Sequence, residues 1–202
     1  TYDYEHPTKA EHVDTQNRCL LGGVPRPFYN TTFRILQPAG SVVFVWDDYH
    51  SYRVVPLDGR PHVGPNVKLW MGDSRGHWEG NTLGVETTNS RDGTWFDKHG
   101  TFHGEALRVT ERWTMVTQST MYYEARIEDP TVFTQPWKLA MTFDRAQRDF
   151  EPGEDSCHSG EHSLDRVVGR RHRRTEFRGA APLRQIRVEV PHLRRHWLGR
   201  RE

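Results

Sequence analysis

Cysteine is scarce in this sequence, and long apolar runs are absent. The two cysteines, Cys19 and Cys157, allow at most one intramolecular disulfide, so a disulfide-rich scaffold is excluded. No apolar stretch approaches the roughly 20 residues that a membrane-spanning helix needs, so no membrane span is expected. The first residues lack the charged and then apolar pattern of a signal peptide. The chain starts with Thr1 and not with Met, which is compatible with an exported protein whose signal peptide has been removed.

The motifs of several common enzyme classes are also missing. The chain has no GxGxxG, no P-loop and no GxSxG, so nucleotide binding and α/β-hydrolase chemistry have no support, and no cofactor is expected. His99 and His103 have i, i+4 spacing, but Gly100 and the neighbouring turn residues disfavour the helix that would align them. The segment from Cys157 to His162 is denser in metal ligands, yet no second paired cluster at zinc-finger spacing accompanies it. We therefore predict no metal site.

The net charge of +1 hides an uneven distribution of charge along the chain. Residues 163–202 hold 12 of the 28 basic residues, all of them Arg, and only four acidic ones. Such a basic extension binds polyanions or docks to a partner. The rest of the chain is acidic and offers no basic strip interleaved with aromatic residues, so no nucleic acid partner is expected. A protein partner that binds through this Arg-rich C-terminal extension stays as one hypothesis.

Residues 29–162 show the alternation of apolar and polar residues that is typical of β-strands. In "ALRVTERWTMV" every second residue is apolar except Glu111, and "STMYYEARIED" and "PWKLAMTFDR" continue the pattern. Four earlier segments, "TTFRILQ", "SVVFVWD", "SYRVVPL" and "TLGVETT", bring the count to at least seven strands. The pattern predicts an all-β, antiparallel fold, either a sandwich or an up-and-down barrel, and the aromatic content favours the barrel. Residues 1–28, rich in turn residues, are predicted to form an irregular N-terminal arm that lies on this domain.

Glu111 and His103 are the residues most suited to chemistry. A carboxylate on the inward face of a strand loses its hydration, which costs several kcal/mol unless the group is paired or hydrogen-bonded. Glu111 is therefore expected to be a ligand anchor, a general base or half of an ion pair with an Arg. The alternative is a β-bulge that turns Glu111 outward. Histidine is the natural general acid or base near neutral pH. Five of the 12 histidines lie at the ends of predicted strands, where the mouth of a barrel would gather them: His50, His62, His77, His99 and His103.

Several motifs together resemble a large family of uncharacterised bacterial proteins, most of which carry signal peptides. They are "RCLLGGVPRPF", "VPLDGRPH", "WMGDSRGHWEGNTLGVETTN", "TWFDKHGTFHGEALRVTERW", "IEDPTVFTQPW" and "CHSGE", and they cover roughly residues 18–162. The resemblance implies export to the periplasm or the outside, a Cys19–Cys157 disulfide and a lipocalin-like β-barrel. Asn81, Arg108 and Ser159 depart from the family pattern. The Arg-rich extension has no counterpart in the family and is either a genuine extension or the product of a shifted reading frame.

From these residues we expect an exported barrel that binds a small, partly aromatic molecule and acts on it by acid–base chemistry of the lyase, hydratase or isomerase type. The expected catalytic residues are His103 and Glu111 for proton transfer and Arg53 for stabilising an anion. The expected substrate-binding residues are His62, Trp78, Arg112, Trp113 and Tyr123.

The alternative is a non-catalytic periplasmic accessory or structural subunit that docks to a larger assembly through its terminal arms. An enclosed cavity lined by His103, Glu111 and Trp113 would favour the first hypothesis. A filled interior, with Glu111 paired to Arg53 or Arg112, would favour the second.

Overall fold

In the described residues the regular secondary structure is almost entirely β-strand, as the alternating pattern predicts. The computed structural model describes residues 12–30, 32–147, 149–151, 153 and the backbone of 187–189. The helical residues described are limited to one short helix, α1 (Pro27–Asn30), and two 3₁₀ turns, Gln16–Arg18 and Asp48–His50. The strands are β1 (Phe33–Leu36), β2 (Ser41–Trp46), β3 (Tyr52–Pro56), β4 (Asp73–Glu79), β5 (Thr82–Thr88), β6 (Arg108–Met115), β7 (Thr120–Glu128), β8 (Trp137–Arg145) and β9 (Arg187–Glu189). In the part of the chain described, no helix has the length and apolar character to cross a membrane.

The strands form two antiparallel meanders. One consists of β1, β2 and β3, and the other runs from β4 to β8, with each strand paired to the next one along the chain. The short β9 pairs in parallel with both β1 and β8 and so joins the two meanders into one sheet. The sequential antiparallel order confirms the up-and-down connectivity within each meander.

Side-chain alternation explains why β6 and β7 form a sheet with one buried face. In β6 the side chains of Val109, Glu111, Trp113 and Met115 are buried, while Thr110 and Arg112 between them are exposed. Because successive residues of a strand face opposite sides, this pattern fixes which side of the sheet is the interior. The register pairs Glu111 with Ala125 and Trp113 with Tyr123, so the interior face continues without a break into β7.

The two edge strands, β3 and β4, meet through side chains. Arg53 of β3 donates from Nε to Ser74 Oγ of β4 at 2.8 Å. Gly76 lies so close to β3 that an added β-carbon would stand 2.7 Å from Val55 Cγ1 and 2.9 Å from Leu57 Cδ2. In the described residues no backbone ladder pairs β3 with β4. The sheet therefore curls until its edges touch, but the hydrogen-bonded closure of a barrel is not formed at this seam.

The described part of the N-terminal segment, residues 12–28, is packed into the domain. Phe28 of α1 is fully buried, and its ring lies 4.5 Å from the ring of Trp113 and 5.2 Å from that of Phe44, centroid to centroid. Arg26, also buried, donates to Asp14 Oδ2 at 2.6 Å and to the carbonyl oxygen of Trp95 at 3.3 Å. The segment predicted as an arm lying on the barrel thus supplies a ring to the interior.

Part of the sequence prediction falls on residues that are not described. Cys157 lies outside the described residues, so the disulfide with Cys19 stays a prediction. Of the Arg-rich extension, 163–202, only the backbone of β9 is described. The histidines at 158 and 162 also lie outside the described part.

Candidate functional site

Glu111 forms the centre of a buried polar network. Its side chain is fully buried, and Arg53 donates to both carboxylate oxygens, through Nη1 to Oε1 at 3.0 Å and through Nη2 to Oε2. Tyr123 donates its hydroxyl to Oε1 at 2.9 Å. Burial and the adjacent Glu111 carboxylate raise the pKa of Tyr123 well above its ordinary value, so the phenol keeps its proton and acts as a donor.

All three guanidinium nitrogens of Arg53 have hydrogen-bond partners. Besides Glu111, it donates from Nε to Ser74 and from Nη2 to Thr87 Oγ1 at 2.6 Å. The guanidinium carbon also lies 5.8 Å from the centre of the Phe44 ring. A buried ion pair in which every charged group has hydrogen-bond partners is stable only as a unit, because removing either member leaves a desolvated charge. The arrangement is a structural ion pair between Glu111 and an Arg, which is one of the roles that the sequence predicts for Glu111.

The interior around this network is filled by aromatic side chains. Trp113 and Tyr123 are fully buried and lie 4.1 Å apart, centroid to centroid, and Trp113 also stacks on Phe143 at 5.7 Å. Phe28 lies 5.5 Å from Tyr123 on the other side. Trp113 and Tyr123, predicted to bind substrate, instead pack against the chain's own rings.

His103 belongs to a separate network. Its Nδ1 lies 2.9 Å from the carbonyl oxygen of Gly104, which can only accept, so Nδ1 carries the proton. Nε2 then accepts from the hydroxyl of Thr94 at 2.5 Å. Burial lowers the pKa of His103 below its ordinary value of 6.5, which favours the neutral ring. No hydrogen bond links His103 to Glu111 in the described residues, so the two predicted proton-transfer groups are not brought together.

The remaining predicted binding residues lie toward the outer surface. His62 contacts Asp73 Oδ2 through Nδ1 at 2.9 Å, with Glu86 Oε1 3.6 Å from its Nε2. Arg112 is exposed and pairs with Glu79 at 2.8 Å. The exposed Arg112–Glu79 ion pair contributes little to stability, whereas the Asp73 carboxylate that His62 contacts is buried. The two contacts have no residue in common.

Two cavities lie at opposite ends of the β1–β3 meander. The first, about 270 Å³, we name the Trp78 pocket. It is lined by Gln37, Pro38, Ala39, Gly40, Ser41, Val42, Leu57 and Trp78. The second, about 280 Å³, we name the Trp46 pocket. It is lined by Thr32, Phe33, Arg34, Val45, Trp46, Asp47, His50, Phe150 and Gly153. Neither is lined by His103, Glu111 or Trp113.

Trp78 is therefore the predicted binding residue that the structure places at a cavity. Gln37 and Trp46 were not predicted, because both fall in segments, "TTFRILQ" and "SVVFVWD", that the pattern reads only as strands. Within the described residues, no group of three or more His, Cys, Asp or Glu side chains is arranged to hold a metal ion.

Comparison with known proteins gives no assignment for this arrangement. No family model, no curated protein and no solved structure matches the chain.

Proposed function

We propose that the chain is an exported, lipocalin-like β-barrel that binds a small, neutral, partly aromatic molecule in the Trp78 pocket and does not transform it. The observation that carries the proposal is the composition of this pocket, in which an indole and two aliphatic side chains surround one unpartnered amide donor. Export and the barrel class rest on the sequence motifs. The contact between the edges of the sheet, through Arg53 and Ser74, supports the barrel class further.

The walls of the Trp78 pocket suit an apolar ring. Val42 is buried and faces the interior, while Leu57 and Trp78 pack against the core from the pocket side. None of the lining residues carries a formal charge. A neutral ligand is favoured here because a charged group would lose hydration without gaining an ionic partner.

Gln37 gives the pocket one polar feature. Its side-chain nitrogen is buried and has no hydrogen-bond partner. Leaving such a donor unpaired costs about 1–3 kcal/mol, and a ligand oxygen that accepts from it would recover part of this. The ligand is therefore expected to combine a ring with a carbonyl or ether oxygen.

The interior argues against catalysis at Glu111. A general base must reach the proton that it removes, whereas both oxygens of Glu111 are held by Arg53 and Tyr123. His103 is likewise bonded on both ring nitrogens. Binding without turnover is the function that these contacts support best.

Titration with acetophenone tests the proposal. Acetophenone has a ring and a carbonyl acceptor, and ethylbenzene serves as the matched compound without the acceptor. We expect acetophenone to shift the Gln37 amide and Trp78 indole signals in ¹H–¹⁵N NMR spectra. Trp78→Ala is expected to weaken binding about tenfold, the value of a buried aromatic contact. Gln37→Leu is expected to remove the preference over ethylbenzene, a net loss of about two- to tenfold.

Trp70→Ala is the control for loss of a tryptophan, because Trp70 lies under Arg91 and does not line the pocket. If acetophenone does not bind, or binds equally well to Trp78→Ala, the ligand-binding proposal is wrong. The non-catalytic accessory subunit is then the hypothesis that survives.

A further inference from the structure

Leu57 lies where the contact between β3 and β4 borders the Trp78 pocket. It directly follows β3 and continues the inward-facing series of Arg53 and Val55. Its side chain packs against the core and also lines the pocket. Its backbone N–H donates to the carbonyl oxygen of Gly40 at 2.9 Å, and Gly40 is itself part of the lining. The main chain of Leu57 is therefore anchored to the pocket wall.

Gly76 of β4 leaves the space that the Leu57 side chain occupies. A β-carbon at Gly76 would stand 2.9 Å from Leu57 Cδ2 and 2.7 Å from Val55 Cγ1. Carbon atoms that are not bonded pack at about 3.5–4.0 Å, so any larger residue at this position would displace its neighbours. Trp78, two residues along β4, faces the same side of the strand and lines the pocket. Leu57 thus contacts β4 at Gly76 and shares the pocket with Trp78.

The cavity gives the Leu57 side chain room to move. Val55 is fully buried, and so is Val42, its register partner on β2, so neither can shift without disturbing a close-packed core. The end of a leucine side chain can instead change rotamer. Because the cavity lies beside Leu57, a group that displaces this side chain from Gly76 is expected to move it into the cavity.

The size of the pocket makes the position of Leu57 decisive for a ligand. At about 270 Å³ the space is just below the roughly 300 Å³ at which ligand pockets begin. In an apolar pocket, one methylene group more or less changes affinity about tenfold or more. A leucine side chain that enters or leaves this space therefore changes which ring fits.

We infer that Leu57 is the specificity-determining residue of the Trp78 pocket, limiting its ligands to a single ring, and that Gly76 is the positioning residue that keeps Leu57 clear of this ring. The inference rests on the proposed function, because it concerns the ligand of the same pocket. It adds a limit on size to the chemistry already proposed, so that a fused two-ring ligand is excluded.

Acetophenone and acetylnaphthalene, two ketones that differ by one fused ring, measure this limit. The readout is the ratio of their Kd values, obtained by NMR titration. We expect the parent protein to bind acetophenone at least tenfold more tightly. Leu57→Ala should reduce this preference about tenfold or more, because the second ring gains the space of the leucine side chain. Gly76→Ala should weaken acetophenone binding about tenfold or more, because Leu57 moves into the pocket.

Two matched controls separate this effect from a general change in the fold. Leu69→Ala removes a leucine that is 40% exposed and does not line the pocket. Gly64→Ala adds a β-carbon that meets nothing within 4 Å. Both variants should leave both Kd values unchanged.

The outcomes distinguish this inference from the proposed function. If acetophenone does not bind the parent protein, the proposed function fails, and the inference fails with it. If acetophenone binds but the parent protein binds acetylnaphthalene equally well, or Leu57→Ala keeps the parent ratio, the proposed function stands and the inference is wrong. Gly76→Ala that binds acetophenone like the parent protein overturns the role of Gly76. If Gly76→Ala does not fold, Leu57→Phe, which fills the pocket from Leu57 itself, replaces it as the variant that should weaken acetophenone binding.

Discussion

Glu111→Gln tests whether the buried carboxylate is structural. Glutamine keeps the shape of the side chain but removes its charge, so the guanidinium of Arg53 stays in the interior without a counter-ion. Arg53 retains Ser74 and Thr87, which are neutral partners. Breaking one side of a buried ion pair costs about 3–5 kcal/mol. For a folded unit of this size each kcal/mol corresponds to about 4 °C, so Tm should fall by about 12–20 °C.

Urea unfolding followed by tryptophan fluorescence measures this free energy. The double variant Arg53→Met/Glu111→Leu removes both charges and should be more stable than Glu111→Gln, because an apolar pair needs no counter-ion. Tyr123→Phe removes one neutral donor from the same carboxylate and should cost only about 1 kcal/mol. If Glu111→Gln does not fold, the double variant still distinguishes a structural pair from a required carboxylate.

A loss of less than about 1 kcal/mol in Glu111→Gln would refute the reasoning, because so small a value belongs to exposed pairs. A double variant less stable than Glu111→Gln would also refute it. Either result would return Glu111 to the list of candidate functional groups.

Two further predictions concern His103 and Phe28. Burial keeps the folded-state pKa of His103 below 6.5, so below about pH 6.5 the unfolded chain binds a proton that the folded chain does not, and the free energy of unfolding falls as the pH drops. In urea titrations between about pH 7 and pH 5, His103→Gln should show a smaller fall in this free energy than the parent protein. An equal fall in both proteins would contradict the prediction. Phe28→Ala should cost about 3–5 kcal/mol and leave a ring-sized cavity beside Trp113. Benzene should raise the Tm of this variant but not that of Phe102→Ala, an exposed control.

The sequence pattern predicts eight of the nine described strands, because each has apolar residues at every second position. β4 was not predicted because two of its three inward positions, Ser74 and Gly76, carry no apolar side chain. Ser74 faces Arg53, and Gly76 has no side chain where β3 comes close. β9 lies in "IRVEV", a short alternating run within the Arg-rich extension that predicts a strand there. The contact between β3 and β4 joins residues that are far apart in the sequence, and the alternation of apolar and polar residues does not predict which strands meet.

The site was predictable only where strand geometry decides it. Between the two candidate partners of Glu111, Arg112 is its neighbour on β6 and must face the opposite side, so alternation alone favours Arg53. The separation of His103 from Glu111 could not be predicted in this way, because a spacing of eight residues that includes a turn does not determine the distance between two side chains. The two pockets form between segments that the pattern treats independently, a turn in one case and strand ends in the other.

The position of Phe28 has a consequence for how the chain can be divided. A fragment that starts at Tyr29, at the boundary suggested by composition, would contain every strand of both meanders and still lack the ring at the centre of their shared interior. Phe33, Phe44, Trp46, Trp113 and Tyr123 all lie within 5.5 Å of that ring, centroid to centroid. A fragment that starts at Tyr29 should therefore be less stable than one that includes Phe28, and a separately supplied peptide carrying α1 should complement it.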